Sequence, residues 1–142
     1  MKVLFICTGN MCRSPAAEKL LGHYGAAAGF EARSRGTGVQ PHFGLHKKMA
    51  ALLKADGVAD LAHKASLVTE PDVDWADLIL VMEEAHADAL AELFPQSMRK
   101  TRLLLDYGPG GDLQDPMGKD DKVFKQVYEA LKAAVLALIE KK

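Results

Sequence analysis

The sequence has few cysteines, no long apolar segment and almost no net charge. Two cysteines among 142 residues cannot form the dense disulfide framework of a small secreted domain. Eighteen basic and 19 acidic residues leave a net charge of −1, so the chain lacks the broad basic field that nucleic acid or an anionic membrane requires. No apolar run approaches a membrane span, and the short N-terminal run differs from a secretion signal. We therefore expect a cytoplasmic protein that binds neither nucleic acid nor a membrane.

The order of predicted elements indicates one α/β domain that spans residues 1–142. Four segments have strand character, at 2–6, 30–34, 78–81 and 101–105. Four segments with helical spacing alternate with them, at 15–25, 45–56, 84–93 and 120–140. This alternation predicts a four-stranded parallel sheet with helices on both faces, in a flavodoxin-like, doubly wound topology. Ligands of such sheets bind beyond the carboxyl ends of the strands, where the strand order reverses.

Residues 7–15, Cys-Thr-Gly-Asn-Met-Cys-Arg-Ser-Pro, connect the first predicted strand to the first predicted helix. The first amides of a helix have no internal acceptor, and together with the helix dipole they bind anions. Gly9 and Asn10 tolerate the left-handed backbone that turns successive amides toward one centre. Ser14 is expected to cap the helix and Pro15 to begin it. We therefore predict a phosphate-binding loop made of Thr8, Gly9, Asn10, Met11, Cys12, Arg13 and Ser14.

Two thiols and one guanidinium give this loop its predicted chemistry. Arg13 offers a planar fork for two phosphate oxygens, which a lysine could not reproduce. A helix N-terminus and a nearby cation favour the thiolate form of a cysteine, so we expect Cys7 to be a nucleophile rather than a small buried apolar residue. Cys12 either packs beneath the loop or pairs with Cys7 in a disulfide that protects the nucleophile from irreversible oxidation. No metal is predicted, because a second ligand pair at suitable spacing is lacking.

The pattern Cys-x4-Cys-Arg-Ser-Pro after an apolar strand resembles the low-molecular-weight protein tyrosine phosphatase family. Residues 34–38 (Ser-Arg-Gly-Thr-Gly), residues 78–84 (Leu-Ile-Leu-Val-Met-Glu-Glu) and Asp115-Pro116 resemble further landmarks of that family, in the same order. The resemblance implies a cofactor-free hydrolase that acts on phosphotyrosine and aryl phosphates through a cysteinyl-phosphate intermediate. It also implies a phosphotyrosine protein or peptide as substrate, a monomer or weak dimer, and, for bacterial members, a tyrosine kinase that the phosphatase opposes.

A phosphate ester leaves poorly as an oxyanion, so the reaction requires a carboxylic acid that protonates the leaving group. Five aspartates follow the fourth predicted strand: Asp106, Asp112, Asp115, Asp120 and Asp121. The resemblance selects Asp115, because an Asp-Pro pair in this late loop supplies the acid in the family. Pro116 also restricts Asp115 to extended conformations. His63 and Ser34 resemble a family pair that steadies Asn10, and the remaining histidines are expected to be structural or exposed.

The predicted substrate pocket departs from the aromatic-walled members of the family. Methionine follows the Asp-Pro pair, and Val39, Gln40, Pro41 and His42 occupy most of the loop after the second strand. The candidates for the pocket walls are Met11, His42, Phe43 and Met117, with a polarizable thioether or a ring against the substrate. We expect a weaker or broader preference for aryl phosphates than in those members.

Three alternative functions stay open at this point. The branch of the family that acts on phosphoarginine typically has threonine before the second cysteine, where this chain has Met11. Arsenate reductases of the same fold pass electrons through additional cysteines, and the sequence has none beyond Cys12. A non-catalytic phosphate-binding module would have no need for Cys7, Arg13 and Asp115 together.

Overall fold

The computed structural model describes residues 1–40 and 42–141, and its centre is a sheet of four parallel strands in the order β2-β1-β3-β4. The strands are β1 (Lys2–Cys7), β2 (Glu31–Gly36), β3 (Leu78–Val81) and β4 (Thr101–Leu103). The four apolar residues 3–6 of β1 are fully buried, as a central strand covered on both faces requires.

Helices cover both faces of this sheet, which confirms the predicted fold class. They are α1 (Arg13–Gly25), α2 (Lys47–Ala55), α3 (Glu70–Trp75), α4 (Glu84–Leu93) and α5 (Asp121–Glu140). Because side chains alternate along a strand, Val3 and Phe5 pack with α1, α2 and α5, whereas Leu4 and Ile6 pack with α3 and α4. Within the two described ranges, no helix is both long and apolar enough to cross a membrane.

Strand β1 lies between β2 and β3, so the chain moves to opposite sides of β1 in its two crossovers. Cys7 pairs with Gly36 of β2, and Ile6 pairs with Val81 of β3. The carboxyl end of β1 is therefore the switch point of the sheet, where open α/β sheets bind their ligands. The fold places Cys7 at this position.

The predicted bounds differ from the structure by one or two residues at several elements, among them β2 and α2, and three differences have a clear physical reason. Strand β4 ends at Leu103 instead of continuing to residue 105, because a 3-10 turn begins at Leu104. Helix α3 was not predicted, since its six residues are too few for a visible apolar period. Helix α1 begins at Arg13, so the prediction that Ser14 caps it and Pro15 begins it is wrong.

Candidate active site

The loop between β1 and α1 turns at Asn10, whose φ of 55° lies in the left-handed region. The buried Asn10 side chain accepts a hydrogen bond from Ser66 N–H at 2.9 Å and donates from Nδ2 to Ser14 Oγ at 2.8 Å. His63 Nε2 lies 2.7 Å from the Asn10 carbonyl oxygen. Ser34 instead donates to Glu18, at 2.8 Å, so only the histidine of the expected pair contacts Asn10. These contacts stabilise a backbone conformation that non-glycine residues seldom adopt.

Cys7 is buried at the base of this loop, and its Sγ lies 2.8 Å from Ser14 Oγ. The Ser14 oxygen already accepts a hydrogen from Asn10 Nδ2, and its own hydroxyl hydrogen has two acceptors in reach, the Cys7 sulfur at 2.8 Å and the Arg35 carbonyl oxygen at 3.4 Å. These contacts explain why Ser14 does not cap α1: its side chain points into the loop. A hydroxyl donor beside the sulfur suits an anionic nucleophile.

Arg13 is 2 % exposed, and its guanidinium is fixed by two acceptors. Its Nη1 donates to Glu83 Oε2 at 2.6 Å and to the Leu113 carbonyl oxygen at 2.7 Å. Its Nη2 lies 3.9 Å from Asp115 Oδ2. The residue therefore connects the phosphate-binding loop to the end of β3 and to the loop that carries Asp115.

Glu83 is a site residue that the sequence interpretation missed. It lies two positions beyond the end of β3, the strand next to β1, so the parallel sheet brings its carboxylate to the edge where Cys7 lies. A carboxylate two residues after a buried strand was the signal that could have identified it. Its ion pair with the buried Arg13 supplies the partner that a desolvated cation requires.

An open cavity of about 270 Å³ lies above the loop and brings together Cys7, Arg13 and Asp115. The full set of lining residues is Cys7, Thr8, Gly9, Met11, Cys12, Arg13, Gly38, Gln40, Asp115 and Met117. The predicted phosphate-loop residues Asn10 and Ser14 are buried beneath this surface. Two of the four predicted wall residues, Met11 and Met117, line this cavity.

The other two predicted wall residues lie elsewhere. His42 lines a separate groove with Val39, and Phe43 is 45 % exposed without lining the catalytic cavity. After β2, Gly38 and Gln40 line the catalytic cavity, whereas Val39 lines the groove. Pro41 lies outside the described residues.

Asp115 lies at the rim of the cavity with its side chain 49 % exposed. Its Oδ1 accepts the Met117 amide hydrogen at 3.1 Å, which leaves Oδ2 on the side of Arg13. The preceding part of the loop is anchored by Leu113, whose amide donates to Met82 O at 2.8 Å and whose carbonyl accepts from Arg13. A carboxyl at this rim has the access to substrate and water that a general acid requires.

The remaining predicted aspartates have contacts outside the cavity. Asp112 Oδ1 accepts the first amide hydrogen of α4 at 2.9 Å and so anchors the loop that leads to Asp115. Asp106 and Asp120 accept backbone amide hydrogens from residues three positions away, and Asp121 forms an ion pair with a lysine of α2. Among the five candidates, only Asp115 lines the catalytic cavity.

The two thiols of the loop have different surroundings. Both are free, and Cys12 Sγ lies 3.1 Å from the Met117 sulfur, to which it donates. Burial raises the pKa of Cys12 to about 12, and the neighbouring Cys7 and Asp115 contribute in the same direction against Arg13. Cys12 is therefore protonated at neutral pH. A disulfide between Cys12 and Cys7 stays a prediction.

A thiol, a buried guanidinium and an exposed carboxyl around one loop are the groups that a cysteine-dependent phosphoric monoester hydrolase requires. A family model described as low molecular weight phosphotyrosine protein phosphatase matches residues 2–142. The chain therefore belongs to the low molecular weight phosphotyrosine protein phosphatase family, as the sequence resemblance indicated.

Relatives within this family carry two kinds of name. A protein-arginine-phosphatase of Geobacillus stearothermophilus is 35% identical over 99% of this chain and 95% of its own. The solved low molecular weight protein tyrosine phosphatase from T. tengcongensis is 35% identical, with a TM-score of 0.93 over 100% of this chain and 99% of its own. A solved YwlE arginine phosphatase mutant with a phosphorylated active site serine is 31% identical, with a TM-score of 0.92 over 99% and 95%.

Proposed function

We propose that this protein hydrolyses phosphotyrosine in proteins and peptides, with Cys7 as nucleophile, Arg13 as phosphate ligand and Asp115 as general acid. The observation that carries the proposal is the single cavity that all three residues line. The loop amides of residues 8–14 and the Arg13 fork stabilise the charge on the transferring phosphoryl group.

The arrangement supports a double displacement. The Cys7 sulfur attacks phosphorus, the phosphorus–oxygen bond breaks, and Asp115 gives its proton to the leaving phenolate oxygen. The Asp115 carboxylate then takes a proton from a water molecule, whose oxygen attacks phosphorus. The sulfur–phosphorus bond breaks, and inorganic phosphate and the Cys7 thiolate are released. The Ser14 hydroxyl, 2.8 Å from the sulfur, can stabilise the departing thiolate.

The phosphorylated cysteine is the direct test of this mechanism. Rapid quench of the enzyme with an aryl phosphate, followed by peptide mass spectrometry, should find the phosphoryl group on Cys7. The matched control is Cys12→Ser, which should still turn over substrate, whereas Cys7→Ser should not. Phosphate on another residue, or turnover by Cys7→Ser, would remove Cys7 from the nucleophile role.

The walls of the cavity favour an aryl substrate. Met11 and Met117 present flexible, polarizable thioethers that can pack against a phenyl ring. Met11 also occupies the position before the second cysteine, where members that act on phosphoarginine typically have threonine. A phenyl ring held only by thioethers is fixed less tightly than one between aromatic walls, so we expect turnover of several aryl phosphates.

Phosphoarginine in proteins is the second candidate substrate, because a relative named as an arginine phosphatase is 35% identical over nearly the whole chain. Hydrolysis of two peptides that differ only in phosphotyrosine or phosphoarginine separates the candidates. We expect a higher kcat/KM for phosphotyrosine, and a shift toward phosphoarginine in Met11→Thr. A wild-type preference for the phosphoarginine peptide would replace the tyrosine assignment with the arginine one.

We propose a cytoplasmic location on chemical grounds. The mechanism requires a reduced Cys7, and the second thiol in the same loop lies within the same cavity. Oxidising compartments favour disulfides, whereas the cytosol keeps thiols reduced. Localisation of a tagged full-length chain tests this, and export from the cytosol would contradict it.

A further inference from the structure

The first turn of α4 contacts both ends of the phosphate-binding loop. Glu83, the residue before the helix, binds Arg13 at the far end of the loop. His86, in the same turn, lies with Nε2 2.9 Å from the Oγ1 of Thr8, the residue after Cys7. His86 is buried, with 4 % of its surface exposed.

The hydrogen bonds of His86 determine its tautomer. The Glu83 amide donates to His86 Nδ1 at 3.1 Å, so Nδ1 must carry a lone pair. The hydrogen is therefore on Nε2, from which it is donated to Thr8 Oγ1. Burial, followed by the positive charge of Arg13, lowers the pKa of His86, and this favours the neutral ring. The charged groups that face the ring are Arg13, Glu83, Asp112 and Asp115.

We propose that His86 is a positioning residue for phosphoryl transfer. Its ring holds Thr8 at the start of the phosphate-binding loop, and it holds the Glu83 backbone beside Arg13 at the end of that loop. The inference rests on the proposed phosphatase function. Thr8 supplies the first backbone amide after the nucleophile, so a displaced Thr8 would move an amide that should point at the phosphoryl oxygens. A role in capping α4 would explain why Nδ1 accepts the Glu83 amide hydrogen. Capping does not require the hydrogen bond between Nε2 and Thr8, so that bond indicates a second role for His86.

Two substitutions separate the contacts of the ring. The Asn side chain of His86→Asn can accept the Glu83 amide hydrogen but is too short to reach Thr8. The longer amide of His86→Gln can donate to Thr8. We expect His86→Asn to lower kcat about tenfold, the worth of one hydrogen bond, with a smaller change in KM. His86→Gln should recover most of that kcat.

Thr8→Val tests the same contact from the exposed end, where loss of folding is not expected. It should lower kcat about as much as His86→Asn, and the double variant should lose little more, because both remove one interaction. Wild-type kcat in His86→Asn, or kcat losses that multiply in the double variant, would overturn the proposal. The proposal would also be overturned if both His86 variants lost kcat in proportion to the fraction of protein that thermal melts show to be unfolded.

Ligand binding tests the inference without turnover. Orthovanadate adopts the five-coordinate geometry of a transferring phosphoryl group, whereas inorganic phosphate stays tetrahedral. We expect His86→Asn to weaken orthovanadate binding more than phosphate binding in titration calorimetry, and equal weakening would contradict positioning. If the wild type binds orthovanadate but hydrolyses no phosphate ester, the proposed function fails while this comparison still tests His86.

Discussion

Gly36 offers a sharp test of how closely β2 packs against the phosphate-binding loop. It is the last residue of β2 and pairs with Cys7. A Cβ atom at Gly36 would lie 2.5 Å from the carbonyl oxygen of Thr8 and 2.5 Å from Val39 Cγ2. Carbon–oxygen contacts between neighbouring strands have a length of about 3.3 Å, so Gly36→Ala must move the Thr8 carbonyl by about 0.8 Å.

The displacement should reduce catalysis more than stability. A misplacement of about 1 Å in a catalytic site can lower the rate about 100-fold, and the Thr8 carbonyl belongs to the loop proposed to bind the phosphoryl group. Overpacking by a single methyl group costs about 1–3 kcal/mol of folding free energy. We therefore expect Gly36→Ala to remain folded in thermal melts and to lose about two orders of magnitude in kcat/KM for an aryl phosphate.

Gly22→Ala is the matched control. Gly22 lies on the exposed side of α1, and a Cβ atom there meets no other atom within 4 Å. Because glycine is unfavourable inside a helix, this substitution should stabilise the fold by about 0.5–1 kcal/mol and leave turnover unchanged. Gly36→Ala with wild-type kcat/KM would refute the reasoning, since the loop would then tolerate the shift of Thr8.

Four further predictions follow from single contacts. Arg13→Lys should lower kcat by orders of magnitude because a point charge cannot replace the planar fork; near-normal kcat would contradict its role. Asp115→Asn should slow poor leaving groups more than good ones across a series of aryl phosphates, whereas equal losses would indicate another acid. Tyr128→Phe removes a hydrogen bond to Asp56, and urea denaturation should find the free energy of unfolding lower by about 1–2 kcal/mol. Burial lowers the pKa of His86 from 6.5 in the folded state. The contribution of His86 to the free energy of unfolding is therefore present above pH 6.5 and is lost as pH falls through the lower value. Urea denaturation across this pH range should find that His86→Gln lacks this loss.

Elements could be predicted from the sequence where an apolar pattern runs along one continuous segment of the chain. The apolar run at 3–6 is a central strand because no other position buries both of its faces. The spacing of apolar residues in α5 likewise follows one buried face over 20 residues. Helix α3 has only six residues and depends on a cap, in which the Thr69 amide donates to Asp72. Such a short element leaves no periodic pattern to detect.

The site divides in the same way. Cys7 and Arg13 lie in one segment of nine residues, so their relation could be predicted from a loop and a helix start. The partners of Arg13 could not, because Glu83 and Leu113 lie 70 and 100 positions away and depend on which strand neighbours β1. The prediction that His42 forms a wall of the catalytic cavity was wrong, because its side chain lines the separate groove. Its direction depends on a backbone φ of 73°, which residue type alone does not indicate.

The difference between the two thiols follows from these long-range contacts. Cys7 and Cys12 lie in one loop, yet Cys7 faces a hydroxyl of that loop while Cys12 donates to the sulfur of Met117, 105 positions away. A thioether accepts a hydrogen bond only weakly and cannot stabilise an anion, and burial raises the pKa of Cys12 to about 12. The neighbouring Cys7 contributes to that rise, because two negative sulfurs in one loop would repel each other. The surroundings of the loop thus hold a neutral Cys12 thiol at the cavity wall, which agrees with our proposal that Cys7 is the nucleophile.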